Sequence, residues 1–212
     1  NVFDFTDAEN AYKYLINNSS TLGIILDYDK GFIRDEYILD VFPSESIRSK
    51  SKNGTVIGVI GAGNHAGRTL LPAFKKSQSR LKIISSSQGA TSAHYAKKLS
   101  FEKNTTDYKN ILKDKEINAL VIATQHDTHS KFVVEGLLAK KNIFVEKPLA
   151  LNSDQLEEIQ KLYLESPDLS KMPILMVGFN RRFSSLTIKA KEALAENIPV
   201  AITYTCNAGH IP

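Results

Sequence analysis

Lys147 is the residue of this sequence whose surroundings best suit proton chemistry. It stands between Glu146 and Pro148, at the end of a segment, residues 143–146, that predicts a strand. A carboxylate beside a lysine forms a charge pair, and burial would lower the pKa of the lysine toward the range of a general acid or base. Pro148 fixes the local turn and is a candidate for a cis peptide bond. Taken alone, the three residues are more typical of a surface charge pair, so their function depends on the rest of the chain.

A glycine-rich segment at residues 61–67 predicts a dinucleotide-binding turn. It follows an apolar run at 55–60, which is typical of a strand buried on both faces of a parallel sheet. The helix predicted after it has one apolar face, formed by Ala66, Leu70, Ala73 and Phe74. Gly61 permits a tight turn, and Gly63 lets the backbone approach a pyrophosphate, which the free N–H groups of the helix bind. The expected cofactor-binding residues here are Gly61, Gly63, Asn64, His65 and Ala66.

The strand predicted at residues 81–84 bears on the choice between NAD and NADP. An acidic residue usually follows such a strand and binds the adenosine ribose, but here the strand runs into Ser85, Ser86, Ser87 and Gln88. The hydroxyls of Ser86 and Ser87, both expected near the cofactor, would not repel a 2′-phosphate, and no arginine follows directly. The serines are equally consistent with ordinary loop chemistry. Both NAD and NADP therefore stay open.

A third apolar run, at residues 117–123, ends at Thr124 and Gln125. Because parallel sheets bind ligands outside the carboxyl ends of their strands, both residues are expected to contact the cofactor. A helix is predicted at 130–141, with Asp127 or Thr128 as its N-cap.

Two histidines, His126 and His129, lie in the same loop. A pair at this spacing without a cysteine or carboxylate cluster does not predict a zinc site. We expect His129 to line the cofactor pocket or to pack under the loop.

Four segments together resemble the glucose-fructose oxidoreductase / inositol dehydrogenase family, often called Gfo/Idh/MocA. They are Gly61–Ala66, Ala123–Thr124, Glu146–Ala150 and Gly178–Phe183. The resemblance covers residues 54–212. It implies an α/β fold, namely an NAD(P)-binding Rossmann fold with a doubly wound parallel sheet, followed by an incomplete α+β substrate domain. NAD or NADP would be the cofactor, and a sugar-like small molecule the substrate.

The resemblance also implies roles for individual residues. Lys147 would be catalytic, orienting the substrate hydroxyl and helping to move its proton, while Glu146 and Pro148 would flank the nicotinamide. Arg181 and Arg182 match the family's basic pair, which would contact the cofactor or the substrate, and Arg181 is expected to contact the cofactor. The family's catalytic partner of the lysine, an Asp or His, would lie beyond residue 212.

The chain is expected to divide into four parts. Residues 1–28 form a capped helix and a strand at 22–26, similar to the carboxyl end of zinc-type medium-chain alcohol dehydrogenases, with a capping box over Thr6–Glu9. Residues 29–53 are a polar, serine-rich connector. Residues 54–150 form the dinucleotide-binding domain, and Pro72 should divide its first helix after Leu71. Residues 151–212 begin the substrate domain, with a helix at 184–197 and a strand at 200–206.

Composition excludes several functional classes. The single cysteine, Cys206, excludes an internal disulfide framework and suits a reducing cytosol. No run of 18 apolar residues predicts a membrane helix. The net charge of +4 is mild and its lysines are scattered, so nucleic-acid binding is not predicted. We expect a cytoplasmic enzyme that binds neither membranes nor metals and that, from the family resemblance, forms a homo-oligomer.

The predicted function is NAD(P)-dependent oxidation or reduction at a CH–OH group of a sugar, polyol or nucleotide-sugar. Two alternatives stay open: a cofactor-binding sensor without turnover, and an NAD-dependent glycosidase that oxidises its substrate transiently. The presence of Lys147 favours the enzyme over the sensor.

Overall fold

The computed structural model describes residues 1–18, 20–28, 38–41, 54–194, 199, 201–203, 205, 207 and 209. The chain divides into two compact units, Asn1–Ala123 and Thr124–Pro212. Within the described residues the strands are β1 (Val2–Asp4), β2 (Ile25–Asp27), β3 (Leu39–Asp40), β4 (Val56–Ile60), β5 (Arg80–Ser85), β6 (Lys103–Thr105), β7 (Ala119–Ile122), β8 (Asn142–Val145) and β9 (Leu175–Val177). The α-helices are α1 (Ala8–Asn17), α2 (Leu71–Lys76), α3 (Ala90–Leu99), α4 (Lys109–Lys113), α5 (His129–Leu138), α6 (Ser153–Leu164) and α7 (Ser185–Ala193).

The first unit contains a mostly parallel sheet, in which β4 lies between two parallel neighbours. β5 and β7 flank β4 and run parallel to it, β6 runs parallel to β5, and the short β3 pairs antiparallel with β6. All five residues of β4 are buried, as the continuous apolar run predicts for a strand covered on both faces. The predicted parallel α/β architecture is confirmed.

The core of this unit lies against β4 and β7. Val59, Leu120 and Ile122 have no exposed side-chain surface, and Ile111 of α4 is equally buried. Gly58 allows α4 to pack this closely, because a Cβ at position 58 would overlap the Ile111 side chain. The strand that precedes the glycine-rich turn is therefore packed closely against the side chain of Ile111.

The second unit places its loops on a pair of parallel strands, β8 and β9. Ile143 pairs with Leu175 and Val145 with Val177. α6 begins at an N-cap whose bonds are reciprocal: the side chain of Asn152 accepts from the N–H of Gln155 at 3.0 Å, and the side chain of Gln155 accepts from the N–H of Leu151 at 2.8 Å. The Lys147–Pro148 peptide bond is cis.

The helix after the glycine-rich turn differs from its predicted regular form. Residues Ala66–Leu70 form a π-helical turn, in which the N–H of Leu71 bonds to the carbonyl of Ala66. Pro72, which lacks an N–H, lies in the first turn of α2 and divides the helix, between Leu70 and Leu71 rather than after Leu71. The π turn shifts the helical phase, so Ala66 and Leu71 are buried while Ala73, predicted on the apolar face, is exposed.

The N-terminal elements correct two predictions. Thr6 lies in a 3₁₀ turn, Phe5–Asp7, and its N–H donates to the side chain of Asp4, while α1 starts at Ala8 without a side-chain cap. The capping box is therefore wrong, because Asp4 supplies the acceptor one turn earlier. The strand predicted at 22–26 begins only at Ile25, where it pairs in parallel with β1.

Three further boundaries differ from the predictions. β3 lies inside the expected connector and joins the sheet of the first unit, while residues 29–37 and 42–53 lie outside the described residues. α5 ends at Leu138, before Lys140 adopts a φ of +56°. Residues 201–203 are exposed and not in a strand, because no neighbouring strand among the described residues pairs with them. Cys206 and part of the helix predicted at 184–197 lie outside the described residues.

Candidate functional site

The turn after β4 combines a glycine in the left-handed region with a second glycine that faces open space. Gly61 has a φ of +100°, which side-chain-bearing residues rarely adopt, and its N–H donates to the carbonyl of Ser85 at 3.0 Å. At Gly63 a Cβ would meet nothing within 4 Å, so open space faces the backbone there. The carbonyl of Gly63 already accepts from the N–H of Gly67 at 2.9 Å, which starts the helix directly after the turn. This geometry fits a pyrophosphate group.

The remaining predicted residues of the turn separate into exposed and buried positions. Asn64 and His65 are exposed in the first helical turn, whereas Ala66 is only 1% exposed and packs inside the unit. Beside it, Gly67 lies under the ring of Tyr95 from α3, where a Cβ would overlap that ring. The Tyr95 ring thus packs directly against the start of the helix, a contact that the sequence pattern did not reveal.

The serine turn after β5 is partly used by the fold itself. Ser85 is buried and donates to the carbonyl of Val59 at 3.3 Å, and the hydroxyl of Ser86 accepts from the N–H of Ser92 at 3.3 Å, in the first turn of α3. Ser87 is exposed. Because Ser86 is engaged with α3, Ser87 is the hydroxyl of the pair that faces solvent.

Asp107, at the carboxyl end of β6, is a polar residue that sequence reasoning missed. Its Oδ1 accepts from the N–H of Lys109 at 2.9 Å, and its Oδ2 is buried with no hydrogen-bond partner within the described part of the chain. The preceding residue, Thr106, lies beside Gly89 of the serine turn. Because β6 is short and polar, no apolar run marked the strand that places this carboxylate.

In the second unit, His129 lies under the loop that follows β7. It has no exposed surface, its Nδ1 is 2.7 Å from the carbonyl oxygen of Pro148, and its Nε2 is 3.2 Å from that of Thr124. Of the two predicted locations, the structure shows packing under the loop. Gln125 is exposed. No cluster of three or more possible metal ligands occurs among the described residues.

Thr128, one of the two predicted N-cap residues, occupies the N-cap position of α5. Its side chain makes no capping hydrogen bond. The Thr128 hydroxyl instead lies 2.7 Å from the Thr124 hydroxyl and 2.7 Å from the carbonyl of Gln125. The hydroxyl therefore bonds within the loop at residues 124–128 rather than to the helix.

Lys147 lies exposed just past the carboxyl end of β8, so the burial considered for it is absent. The Oε2 atom of its neighbour Glu146 accepts from the N–H of Lys147 at 3.3 Å. The same atom lies close to Gly178, where a Cβ would be 3.2 Å away. Gly178, just past the end of β9, thereby leaves room for the Glu146 carboxylate.

The basic pair after β9 has two different environments. Arg182 donates to the carbonyls of Phe179 and Val177, both at 3.3 Å, and its guanidinium lies 5.3 Å from the ring centre of Phe183. Its own segment therefore holds it in place. Arg181, the residue predicted to contact the cofactor, is exposed.

The described helices include none with the length and apolar character needed to cross a membrane.

Comparison with known proteins identifies relatives along most of this region. Residues 55–172, more than half of the chain, match the sequence profile of a family described as "Oxidoreductase family, NAD-binding Rossmann fold" (GFO_IDH_MocA). An uncharacterized oxidoreductase of Bacillus subtilis, YrbE, is 31% identical over 142 residues, which cover 67% of this chain and 40% of that protein. The myo-inositol 2-dehydrogenase of Thermotoga maritima is 36% identical over 97 residues, which cover 46% of this chain and 28% of that protein.

Solved structures show the same likeness. A putative myo-inositol dehydrogenase from Sinorhizobium meliloti superposes with a TM-score of 0.58 at 27% identity, covering 66% of this chain and 40% of that one. The matched region spans less than half the length of each of these three proteins.

Proposed function

We propose that this chain acts in NAD(P)-dependent oxidation or reduction. It belongs to the oxidoreductase family with an NAD-binding Rossmann fold, because residues 55–172 match the profile of that family. Its substrate is a sugar, polyol or nucleotide-sugar that reacts at a CH–OH group. The observation that carries the proposal is the glycine-rich turn: Gly61 adopts a φ of +100°, and the space in front of Gly63 is open. An ordinary strand–turn–helix needs neither feature.

The residues present fit a bound dinucleotide. The N–H groups that begin the helix after Gly63 would hold the pyrophosphate, since the first N–H groups of a helix have no partner within it. Asn64 and His65 are exposed beside this position, and Ser87 offers a solvent-facing hydroxyl for the adenosine ribose. No carboxylate occurs at 85–89, so the turn excludes neither NAD nor NADP.

In the second unit, Lys147 is proposed as the residue that handles the substrate proton. Its exposed ammonium can donate a hydrogen bond to a substrate oxygen and hold or release a proton there. A bound nicotinamide would supply hydride transfer. Thr124, Gln125, Glu146, Pro148 and Arg181 would contribute further contacts to the cofactor. The substrate class is supported by the name of the Thermotoga maritima relative, a myo-inositol 2-dehydrogenase.

A fluorescence titration of NADH and NADPH against the chain tests the proposal. Gly63→Asp places a carboxylate in the open space of the turn and is expected to abolish saturable binding, because it repels a pyrophosphate. Gly23→Asp is the matched control, since a Cβ at Gly23 also meets nothing within 4 Å. The proposal fails if the wild-type chain binds neither cofactor, or if Gly63→Asp and Gly23→Asp bind equally well.

We further propose that residues 1–28 are the end of an upstream dehydrogenase-like domain, a segment that lies outside the matched family region. β1 and β2 run parallel and are joined by α1, while Val2, Ile16 and Leu22 are at least 65% exposed. Such a pair of strands has too little buried surface to stand alone. Deleting residues 1–28 should leave the NADH affinity of the chain unchanged; a loss of NADH binding would contradict this division.

A further inference from the structure

His129 occupies a position that the proposed chemistry does not use directly. It is the first residue of α5, it follows a 3₁₀ turn at His126–Thr128, and its side chain is completely buried. A fully buried histidine needs partners for its ring nitrogens, because an unpaired polar atom in the interior is costly. Here both partners are backbone carbonyl oxygens, and they belong to two different loops.

The protonation of the His129 ring determines which of the two carbonyl oxygens it can bond to. A carbonyl oxygen only accepts, so a ring nitrogen must carry a hydrogen to bond to it. One neutral tautomer donates from Nδ1 to Pro148 at 2.7 Å, the other donates from Nε2 to Thr124 at 3.2 Å, and the doubly protonated ring donates to both. In every state the imidazole is anchored to at least one loop, and the shorter contact is the one to Pro148.

The two loops are those that the proposed function requires. Thr124 is the first residue after the strand end at Ile122–Ala123, and Pro148 directly follows Lys147. We propose that His129 is a positioning residue: its imidazole ties the loop that begins at Thr124 to the carbonyl of Pro148 and so fixes where Lys147 lies. Its ring nitrogens face the protein's own backbone, so it acts through these loops and does not contact the cofactor. The inference rests on the role proposed for Lys147.

Two substitutions separate this role from simple packing. The side-chain amide nitrogen of asparagine takes approximately the place of Nδ1, so His129→Asn keeps a donor toward Pro148 but leaves unfilled space. His129→Leu fills the space with an apolar side chain and keeps no donor. If His129 only fills volume, the leucine variant should bind NADH more tightly than the asparagine variant. If it positions the loop, the asparagine variant should bind NADH more tightly.

The experiment measures dissociation constants of NADH and of ADP-ribose for the wild-type chain and both variants. ADP-ribose lacks the nicotinamide, so its binding depends on the turn at Gly61 and Gly63 and not on the loop around Lys147. His129→Leu is expected to weaken NADH binding by about tenfold, the size of one buried hydrogen bond, with ADP-ribose affinity unchanged. His129→Asn should recover most of the NADH affinity.

Several results would overturn the inference: unchanged NADH affinity in His129→Leu, better binding by leucine than by asparagine, or an equal loss for NADH and ADP-ribose. A wild-type chain that binds neither nucleotide would instead contradict the proposed function. An NMR measurement on the wild-type chain decides the inference in that case, and also where His129→Leu does not fold. It should show a ring N–H hydrogen of His129 that exchanges slowly with water, and its absence would contradict the proposed bonds.

Discussion

At the residue scale, the glycines of the nucleotide-binding region serve different purposes. Position 61 requires glycine because its φ is +100°, whereas position 63 adjoins open space that a side chain could fill. Positions 67 and 58 require glycine because a Cβ would overlap a neighbour: the ring of Tyr95 at position 67 and the side chain of Ile111 at position 58. Substitution at Gly63 should therefore affect binding, and substitution at Gly67 should affect folding.

Gly67→Ala is expected to destabilise the chain by roughly 1–3 kcal/mol, the usual cost of overpacking a close contact. The added Cβ overlaps the buried Tyr95 ring, and this cost outweighs the better helix propensity of alanine, about 1 kcal/mol. Urea unfolding measures the change, with Gly63→Ala as the control that should leave stability nearly unaltered. The double variant Gly67→Ala/Tyr95→Leu should lose less than the two single changes together; strict additivity would argue against the contact.

At the scale of elements, the two ends of β5 have different surroundings. Its carboxyl end leads into the serine turn, while its amino end carries an ion cluster in which Arg80 and Lys82 bond to Glu102, Asp114 and Glu116. The side chains of Arg80 and Lys82 are only 14% and 10% exposed. The cluster anchors the strand at the end away from the proposed cofactor.

This cluster predicts a pH dependence of stability. Hydrogen bonds from Lys82 and then from Arg80 lower the pKa of Glu116 from 4.5 to about 2. A lowered folded-state pKa adds stability that is present above the unfolded value and is lost as the pH falls from about 4.5 through about 2. Glu116→Gln should flatten the free energy of unfolding across this interval, measured by urea titration. The effect should be modest and weakened by salt, because the Glu116 side chain is 60% exposed; identical pH profiles of both proteins would contradict it.

The elements predicted correctly from the sequence are those with continuous apolar runs. The runs of β4 and β7 predict these strands because a strand buried on both faces leaves no polar interruptions. β6 is too short and polar to give such a signal, and nothing in the apolar pattern marks the π turn at Ala66–Leu70. The bonds of His129 depend on how the fold places Pro148, nineteen residues away, so no local pattern could reveal them.

At the scale of the whole molecule, cofactor binding should be visible as a gain in stability. A ligand that binds only the folded chain raises the free energy of unfolding with its concentration, by about 2.7 kcal/mol at one hundred times the dissociation constant. We therefore expect NADH or NADPH to raise the thermal unfolding midpoint in a saturable way. The shift should be several degrees, given about 2–4 °C per kcal/mol for a chain of this size.

The variants already described make this prediction specific. Gly23→Asp should show the full shift, whereas Gly63→Asp should unfold at nearly the wild-type temperature without cofactor and show little shift with it, because its added side chain meets open space. His129→Asn should fall between them with NADH and match the wild-type chain with ADP-ribose. A shift of equal size in Gly63→Asp would mean that the nucleotide stabilises the chain elsewhere than at the glycine-rich turn. A shift absent from all variants and from the wild type would remove the support for dinucleotide binding itself.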